Sequence, residues 1–281
     1  MSDYRGHNSY VRGDVIFGDR VAGDKVVYGP SRTQDERTPR QADVGVLTIL
    51  NEETVAIRGA LQRMSDFRVR QLPAGLIAAE AWLPDRIGNR VNVAAVQALE
   101  PGHAQAVSAQ TLVSIYRPAV VLLVGIAGGN SDHIVIGDVV VSDHVVSYDP
   151  GSRRPETLET TALLRYRVND FLAQVPPKWS YRILKGPVGS PGGASDAEAV
   201  HGWLASVNEK VLAVETNAGA VDTLRLAMRE NADLRGWLSI RGIAGIAGPE
   251  KNDTRKASRL AAEHAADVMA MLLPFLSFER Q

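Results

Sequence analysis

The chain has 281 residues, 45% hydrophobic and 22% charged, enough to bury a large core as one α/β domain with an appendage. A net charge of −1 gives no electrostatic reason to expect nucleic acid or an anionic membrane as the main partner, and the absence of cysteine excludes a disulfide scaffold, a thiolate metal site and a thiolate nucleophile. The polar N-terminus lacks the apolar core of a signal peptide, and no apolar run approaches the roughly 20 residues of a membrane helix, so a soluble cytoplasmic protein is expected.

Residues 1–42 read as a leader and linker, and residues 43–281 as the main domain. In the leader, Gly13-Asp14, Gly18-Asp19 and Gly23-Asp24 recur at a spacing of five, each followed by strand formers such as Val15-Ile16-Phe17 or Lys25-Val26-Val27. Alternating turn and strand formers can build short β-arches that stack on copies from other chains; the alternative is a disordered leader with a chance repeat. Residues 29–42, rich in Arg, Pro, Asp, Thr and Gln, read as a linker.

From Asp43 the pattern predicts buried strands alternating with helices. Val44 to Leu50 is a continuous apolar run, followed by Asn51-Glu52-Glu53-Thr54 and a helix through Met64. Val91 to Leu99 is a strand, Ala104 to Tyr116 a helix, and Ala119 to Val124 the most hydrophobic strand, ending in a glycine turn. Val135 to Val141, Leu184 to Val188, Val211 to Glu215 and Trp237 to Arg241 complete the strands. A long alanine-rich helix runs from about Asp253 to Leu273, with Leu260, His264, Val268, Met271 and Leu272 reading as its core face. The alternation predicts an α/β fold, three layers deep, with a mixed central sheet flanked by helices and a ligand site beyond the carboxyl ends of strands.

Small residues in the turn Gly125-Ile126-Ala127-Gly128-Gly129 would let a ligand approach backbone N–H groups, although close helix–sheet packing uses the same glycines. The turn has neither the G-x-G-x-x-G spacing of a dinucleotide site nor the Gly-Lys-Ser/Thr of a P-loop. Histidines at ligand spacing and a Gly-x-Ser-x-Gly elbow are both missing, which argues against a metal site and the commonest hydrolase alternative.

In its wider context this turn is more specific. Arg117 through Gly129, followed by Ile136-Gly-Asp-Val-Val-Val-Ser-Asp143, resembles the nucleoside phosphorylase and methylthioadenosine/S-adenosylhomocysteine nucleosidase superfamily, as do Val44 to Glu53, Ala213 to Ala218 and Arg241 to Gly248 with Lys251 to Asp253. The likeness covers roughly residues 43–276. The Gly-Asp leader resembles N-terminal motifs that precede domains in bacterial NLR-like and conflict-system proteins. The resemblance implies the three-layer phosphorylase-like fold and cleavage of the N-glycosidic bond of a purine nucleoside or nucleotide, by hydrolysis or phosphorolysis.

Carried over residue by residue, the likeness places Glu53 as the group positioning water, with Glu52 beside it; the alternative is that both carboxylates simply open a helix. It places Gly125, Ile126, Ala127 and Gly128 against the ribose or a phosphate, and Glu215, Thr216 and Asn217 at the sugar, with an amide where the family has a ribose-binding glutamate. Arg241 either orders the pocket or braces its strand. Where the family reads Arg-x-Ile-Ser-Asp this chain reads Arg241-Gly-Ile-Ala-Gly245, so the proton-donating aspartate is replaced by Gly245, and the next aspartate of related members falls at Gly248. A replacement would have to come from Glu250, Asp253, Asp196 or His201. His201 and Trp203 read first as surface or packing residues of a helix.

These readings leave an N-ribosyl hydrolase or phosphorylase as the leading expectation, with an effector role in a bacterial signalling or defence system as a further one. The competing expectation is a catalytically degenerate nucleoside-binding or assembly module. No cofactor is implied, with phosphate as an optional co-substrate. The expected partners are a small-molecule nucleoside or nucleotide, a second copy of the chain in a homo-oligomer, and a signalling partner through residues 13–28.

Overall fold

The computed structural model describes residues 41–98, 103–130, 133–148, 155–176, 180–190, 210–215, 228–229, 233–246 and 255–278. The leader repeat at 13–28 lies outside these residues, as do Thr216, Asn217, Asp196, His201, Trp203, Gly248, Glu250 and Asp253. All described residues belong to one unit, Pro39–Gln281.

The apolar run that opens this unit forms β1 (Val44–Thr48), every residue of it buried. After two residues the chain enters α1 (Asn51–Gln62). β2 (Ser65–Gln71), β3 (Ile77–Pro84) and β4 (Arg90–Gln97) then form an antiparallel meander, with β4 parallel to β1. The turn between β3 and β4 is set by Asp85, whose side chain accepts the backbone N–H groups of Ile87 and Asn89, and by Gly88 at φ 92°. α2 (His103–Tyr116) returns the chain to β5 (Val120–Gly129), which pairs in parallel with β1.

The remaining strands are β6 (Val139–Ser142), β7 (His144–Tyr148), β8 (Pro155–Glu159), β9 (Ile183–Lys185), β10 (Val188–Ser190), β11 (Ala213–Glu215) and β12 (Gly236–Ile246). α3 (Ala162–Gln174) lies between β8 and β9, and α4 (Arg255–Leu272) follows β12. The sheet forks around β5. One edge of β5 pairs with β1 near its start and with antiparallel β11 at its end, while the other pairs in parallel with β12 along its whole length. From this fork the sheet continues through β11, β10, β7 and β8 on one branch, and through β12, β6 and β9 on the other.

Alternating residues of the central strands point to opposite faces. Val44 and Val46 pack in one core cluster with Ile57 and Leu61 of α1 and with Ala265, Val268 and Met269 of α4. Leu47 points the other way, into a cluster with Ala109 of α2 and Trp237 of β12. Helices therefore cover both faces, giving the three layers and mixed sheet that the sequence predicts.

Three expectations are corrected. The glycines after Val124 do not form a turn: β5 continues through Gly129, paired on both edges. The strand expected from Val135 begins only at Val139, because Gly137 (φ 94°) and the Asp138 side chain, which accepts the Val135 N–H, make a turn there. On α4 the core face is chiefly alanine, namely Ala257, Ala261, Ala262, Ala265 and Ala266 beside Val268, Met269 and Leu272, while Leu260 is exposed. The alanines follow from close packing, since a Cβ on Gly242 of β12 would lie 1.9 Å from the Ala261 carbonyl oxygen.

Candidate active site

The carboxyl ends of β1, β5 and β12 and the antiparallel end of β11 meet at the fork. Glu53 occupies the first turn of α1, whose N-terminus points at this junction. Its side chain is almost fully buried and accepts three backbone N–H groups: Oε2 takes Ile49 at 2.8 Å and Leu50 at 2.9 Å, and Oε1 takes Ile126 at 2.9 Å. The bond to Leu50, the residue preceding the helix, satisfies the N-cap backbone N–H; leucine there offers no side-chain cap in return. The bond to Ile126 reaches across to β5, so Glu53 both opens the helix and ties it to the strand. Glu52, its neighbour, is only partly buried.

On β12, Arg241 lies beside Gly125 of β5, and on β11, Glu215 lies beside Ala127. Positions 125 and 127 share a face of β5, and their small residues leave room for the Arg241 side chain to cross the strand. Arg241 Nη2 donates to Glu215 Oε2 at 2.7 Å and its Nε donates to Ser239 Oγ at 3.1 Å; Arg241 and Glu215 are 3% and 2% exposed. With so little water to screen it, this pair is far stronger electrostatically than a surface ion pair, but its desolvation cost is also high.

Gly125 sits beneath the convergence. A Cβ there would lie 2.3 Å from Glu53 Oε1 and 2.6 Å from Arg241 Nη1, so the carboxylate and the guanidinium are separated by no more than the sum of those distances. The space over Gly125 is thus filled by the protein's own charged groups, and the Ile126 N–H is engaged by Glu53. Gly128 differs, because the nearest atom to a Cβ there is the Val214 carbonyl oxygen at 3.8 Å.

Burial pushes the Glu215 carboxyl above the usual carboxylate range. Arg241 opposes this, Ser190 also pulls it down, and the nearby charge of Glu53 adds to the rise. Ser190 ends β10, the strand next to β11, so its hydroxyl faces Glu215. The Ser190 hydroxyl is close enough to hydrogen-bond this carboxyl, and among the described residues neither Ser190 Oγ nor Glu215 Oε1 has another partner.

Gly245 ends this arrangement. It lies opposite Gly128, just after a break in the β5–β12 register between Ile243 and Gly245, and no described residue lies within 4 Å of where its Cβ would be. Bulges of this kind cluster beside functional sites, where they re-aim the strand.

The structure therefore brings together Glu53, Gly125, Ile126, Ala127, Glu215 and Arg241, with Gly128 and Gly245 one step further along the strands. It adds Ser239, legible as the residue two before Arg241 and hence on the same face of β12, and it places Ser190, from the segment read in the sequence as base-facing, beside Glu215 through the pairing of β10 with β11. The arrangement can hold a polar reactant against two carboxylates and a guanidinium in a water-poor setting, where preorganised charges act most strongly.

Residues 85–223 match the family model described as the phosphorylase superfamily. No curated protein matches the chain significantly. Among solved structures, a 5′-methylthioadenosine/S-adenosylhomocysteine nucleosidase from Colwellia psychrerythraea 34H in complex with adenine aligns with a TM-score of 0.67 and 18% identity, over 84% of this chain and 96% of its own. The corresponding nucleosidase from S. pneumoniae, bound to a transition-state inhibitor, gives 0.66 and 19%, over 83% and 99%. The futalosine hydrolase of Helicobacter pylori gives 0.64 and 16%, over 82% and 97%. At such identities these structures establish the shared fold, and residues 85–223, just under half of the chain, are similar to the phosphorylase superfamily.

Proposed function

We propose that this protein cleaves the N-glycosidic bond of a purine nucleoside or nucleotide. The observation that carries this reading is the convergence of Glu53, Arg241 and Glu215 over Gly125 at the carboxyl end of β5. Breaking a ribosyl C–N bond builds positive charge on the sugar, and buried carboxylates stabilise that charge in a low-dielectric site. Glu53, fixed by three backbone N–H groups, is oriented to accept a proton from an attacking water or to hold a ribose hydroxyl. Glu215 lines the sugar side, while Arg241 holds its carboxylate in place. In hydrolysis the water oxygen bonds to C1′ and the base departs with the electron pair of the broken bond; in phosphorolysis phosphate takes the place of water. The likeness to nucleosidase and futalosine hydrolase structures supports this class of reaction, and the Gly-Asp leader supports a role as an effector in a bacterial signalling or defence assembly.

A second reading is favoured by Ala244 and Gly245, which supply no side-chain acid at the end of β12: a nucleoside-binding or assembly module that has lost its chemistry. Release of free base from nucleosides, ATP, NAD and S-adenosylhomocysteine, with and without phosphate, separates the two. Base release supports the enzymatic reading, and its dependence on phosphate distinguishes the nucleophile. Ligand-induced thermal stabilisation without release from any of these compounds supports the binding module.

A further inference from the structure

The face that α4 turns to the sheet is chiefly small and apolar, but His264 on this helix makes a polar contact. Its Nδ1 lies 2.6 Å from the Gly137 carbonyl oxygen, and its ring stacks on Tyr181 with centroids 3.9 Å apart and planes 20° from parallel. A carbonyl oxygen can only accept, so Nδ1 carries the hydrogen of this bond. Gly137 has φ 94°, and a Cβ there would lie 3.4 Å from the imidazole, so the ring is seated closely against the turn.

That turn leads to the site. The Gly137 N–H donates to the Ile243 carbonyl at 2.8 Å, and the Ile243 N–H donates to the Asp138 carbonyl at 2.8 Å, so the turn holds both backbone groups of Ile243. The Asp138 side chain fixes the turn in its own right, accepting the Val135 N–H and pairing with Arg182. Ile243 is opposite Ala127 of β5 and is the last residue of β12 before the register shift that brings Gly245 opposite Gly128. Ala244, between them, is buried with Ala261 and Ala262, in the turn of α4 that precedes His264. A bulge interrupts the ladder, so its shape depends on what holds its flanks. Here one flank rests on the 137–138 turn, and His264 ties that turn to α4.

We propose that His264 is a positioning residue for this site: through Gly137 and Ile243 it sets the path of β12 to Gly245, and with it the wall that β12 presents to the leaving base. This rests on the glycosidic reading of the same site. His264 touches no reacting atom and acts only through the turn.

Two variants of the full chain separate the hydrogen bond from packing. His264→Phe keeps an aromatic ring against Tyr181 and removes the donor; His264→Asn gives up the ring and keeps a donor, Nδ2, near the place of Nδ1. Amide hydrogen exchange at Ile243 is measured with Val46 of β1 as reference. Base release is measured on whichever of the nucleosides, ATP, NAD and S-adenosylhomocysteine the wild type cleaves. In His264→Phe, exchange at Ile243 should quicken by about 10-fold or more while Val46 is unchanged. Its kcat should fall by about 10-fold or more with KM within about threefold, because a displaced wall is felt chiefly in the transition state. His264→Asn should stay closer to wild type in both.

An asparagine variant as impaired as the phenylalanine one, or more so, points to packing and overturns the proposal. Unchanged exchange at Ile243 in His264→Phe, or faster exchange with unchanged kcat, overturns it as well. Each of these leaves the glycosidic reading intact, since the wild type still releases base. No release by the wild type overturns that reading and the proposal with it.

Discussion

Glu53 Oε1 accepts the backbone N–H of Ile126 at 2.9 Å, and this one bond joins the first turn of α1 to the end of β5. Because Oε2 of the same carboxylate holds Ile49 and Leu50, the side chain needs acceptors at both oxygens. Glutamine offers an acceptor at one position and a donor at the other. Glu53→Gln should therefore cost stability as well as any activity, by about 1 to 3 kcal/mol, read as a lower midpoint in urea with an unchanged m-value. A midpoint within error of wild type would mean that these backbone bonds are not made in solution.

The Arg241–Glu215 pair makes a second prediction. Removing one partner of a buried ion pair leaves the other charge uncompensated, a loss of about 3 to 5 kcal/mol. Arg241→Met should fall in that range, since it strands Glu215 next to Glu53. Glu215→Gln should cost less, because burial already moves that carboxyl toward its neutral form. Chemical denaturation of both single variants and the double variant gives the coupling, and near-additive losses would contradict a direct pair.

The glycines divide into those that are needed and one that is not. Gly242→Ala would push a methyl group to 1.9 Å from the Ala261 carbonyl oxygen, so α4 must move off β12; a loss of roughly 2 kcal/mol or more is expected. Gly245→Asp meets no described residue within 4 Å and should change stability by no more than about 0.5 kcal/mol. Thermal melting of the two variants checks the contrast, and the reverse order would show that β12 packs differently.

Acid sensitivity follows from Glu80. Burial alone would raise this carboxyl, but the Tyr116 hydroxyl, which donates to Oε1 at 2.6 Å, together with Arg68 and Arg70, holds it below the usual carboxylate range. A carboxyl lowered in the folded state binds fewer protons there than in the unfolded chain. Its stabilisation is present above the unfolded value and disappears as pH falls through the folded one. Glu80→Gln should therefore lower stability near pH 7 and flatten its decline below about pH 4, the ordinary titration range of glutamate. Denaturation midpoints from pH 3 to 7 measure this; an acid limb as steep as that of wild type would remove Glu80 from it.

What could be read in the sequence follows the physics of burial. β1, β5, β12 and α2 are legible because strands covered on both faces are continuously apolar and α2 is a long run of good helix formers. The pair β2 and β3 is missed because β2 is an edge strand, largely exposed and carrying Asp66, Arg68 and Arg70, so it has no apolar signature. β9 and β10 read as a single strand from Leu184 to Val188, yet Gly186-Pro187 breaks it and sends the two pieces to different branches of the sheet. At the site, Glu53, Glu215 and Arg241 were visible as polar residues at strand and helix ends. Their mutual geometry was not, because it depends on Gly125 lying opposite Arg241 and on Ala127 lying opposite Glu215, a register fixed only when three strands far apart in the chain pair.

The most direct measurement is single-turnover base release by the wild-type full chain and by Glu53→Gln, run side by side on whichever nucleoside of the panel is cleaved. The expected result is release by the wild type and a rate lower by about 10² or more in the variant, at a temperature where both remain folded. Equal rates in the two proteins would contradict the assignment of the Glu53 site as the place where the glycosidic bond is broken.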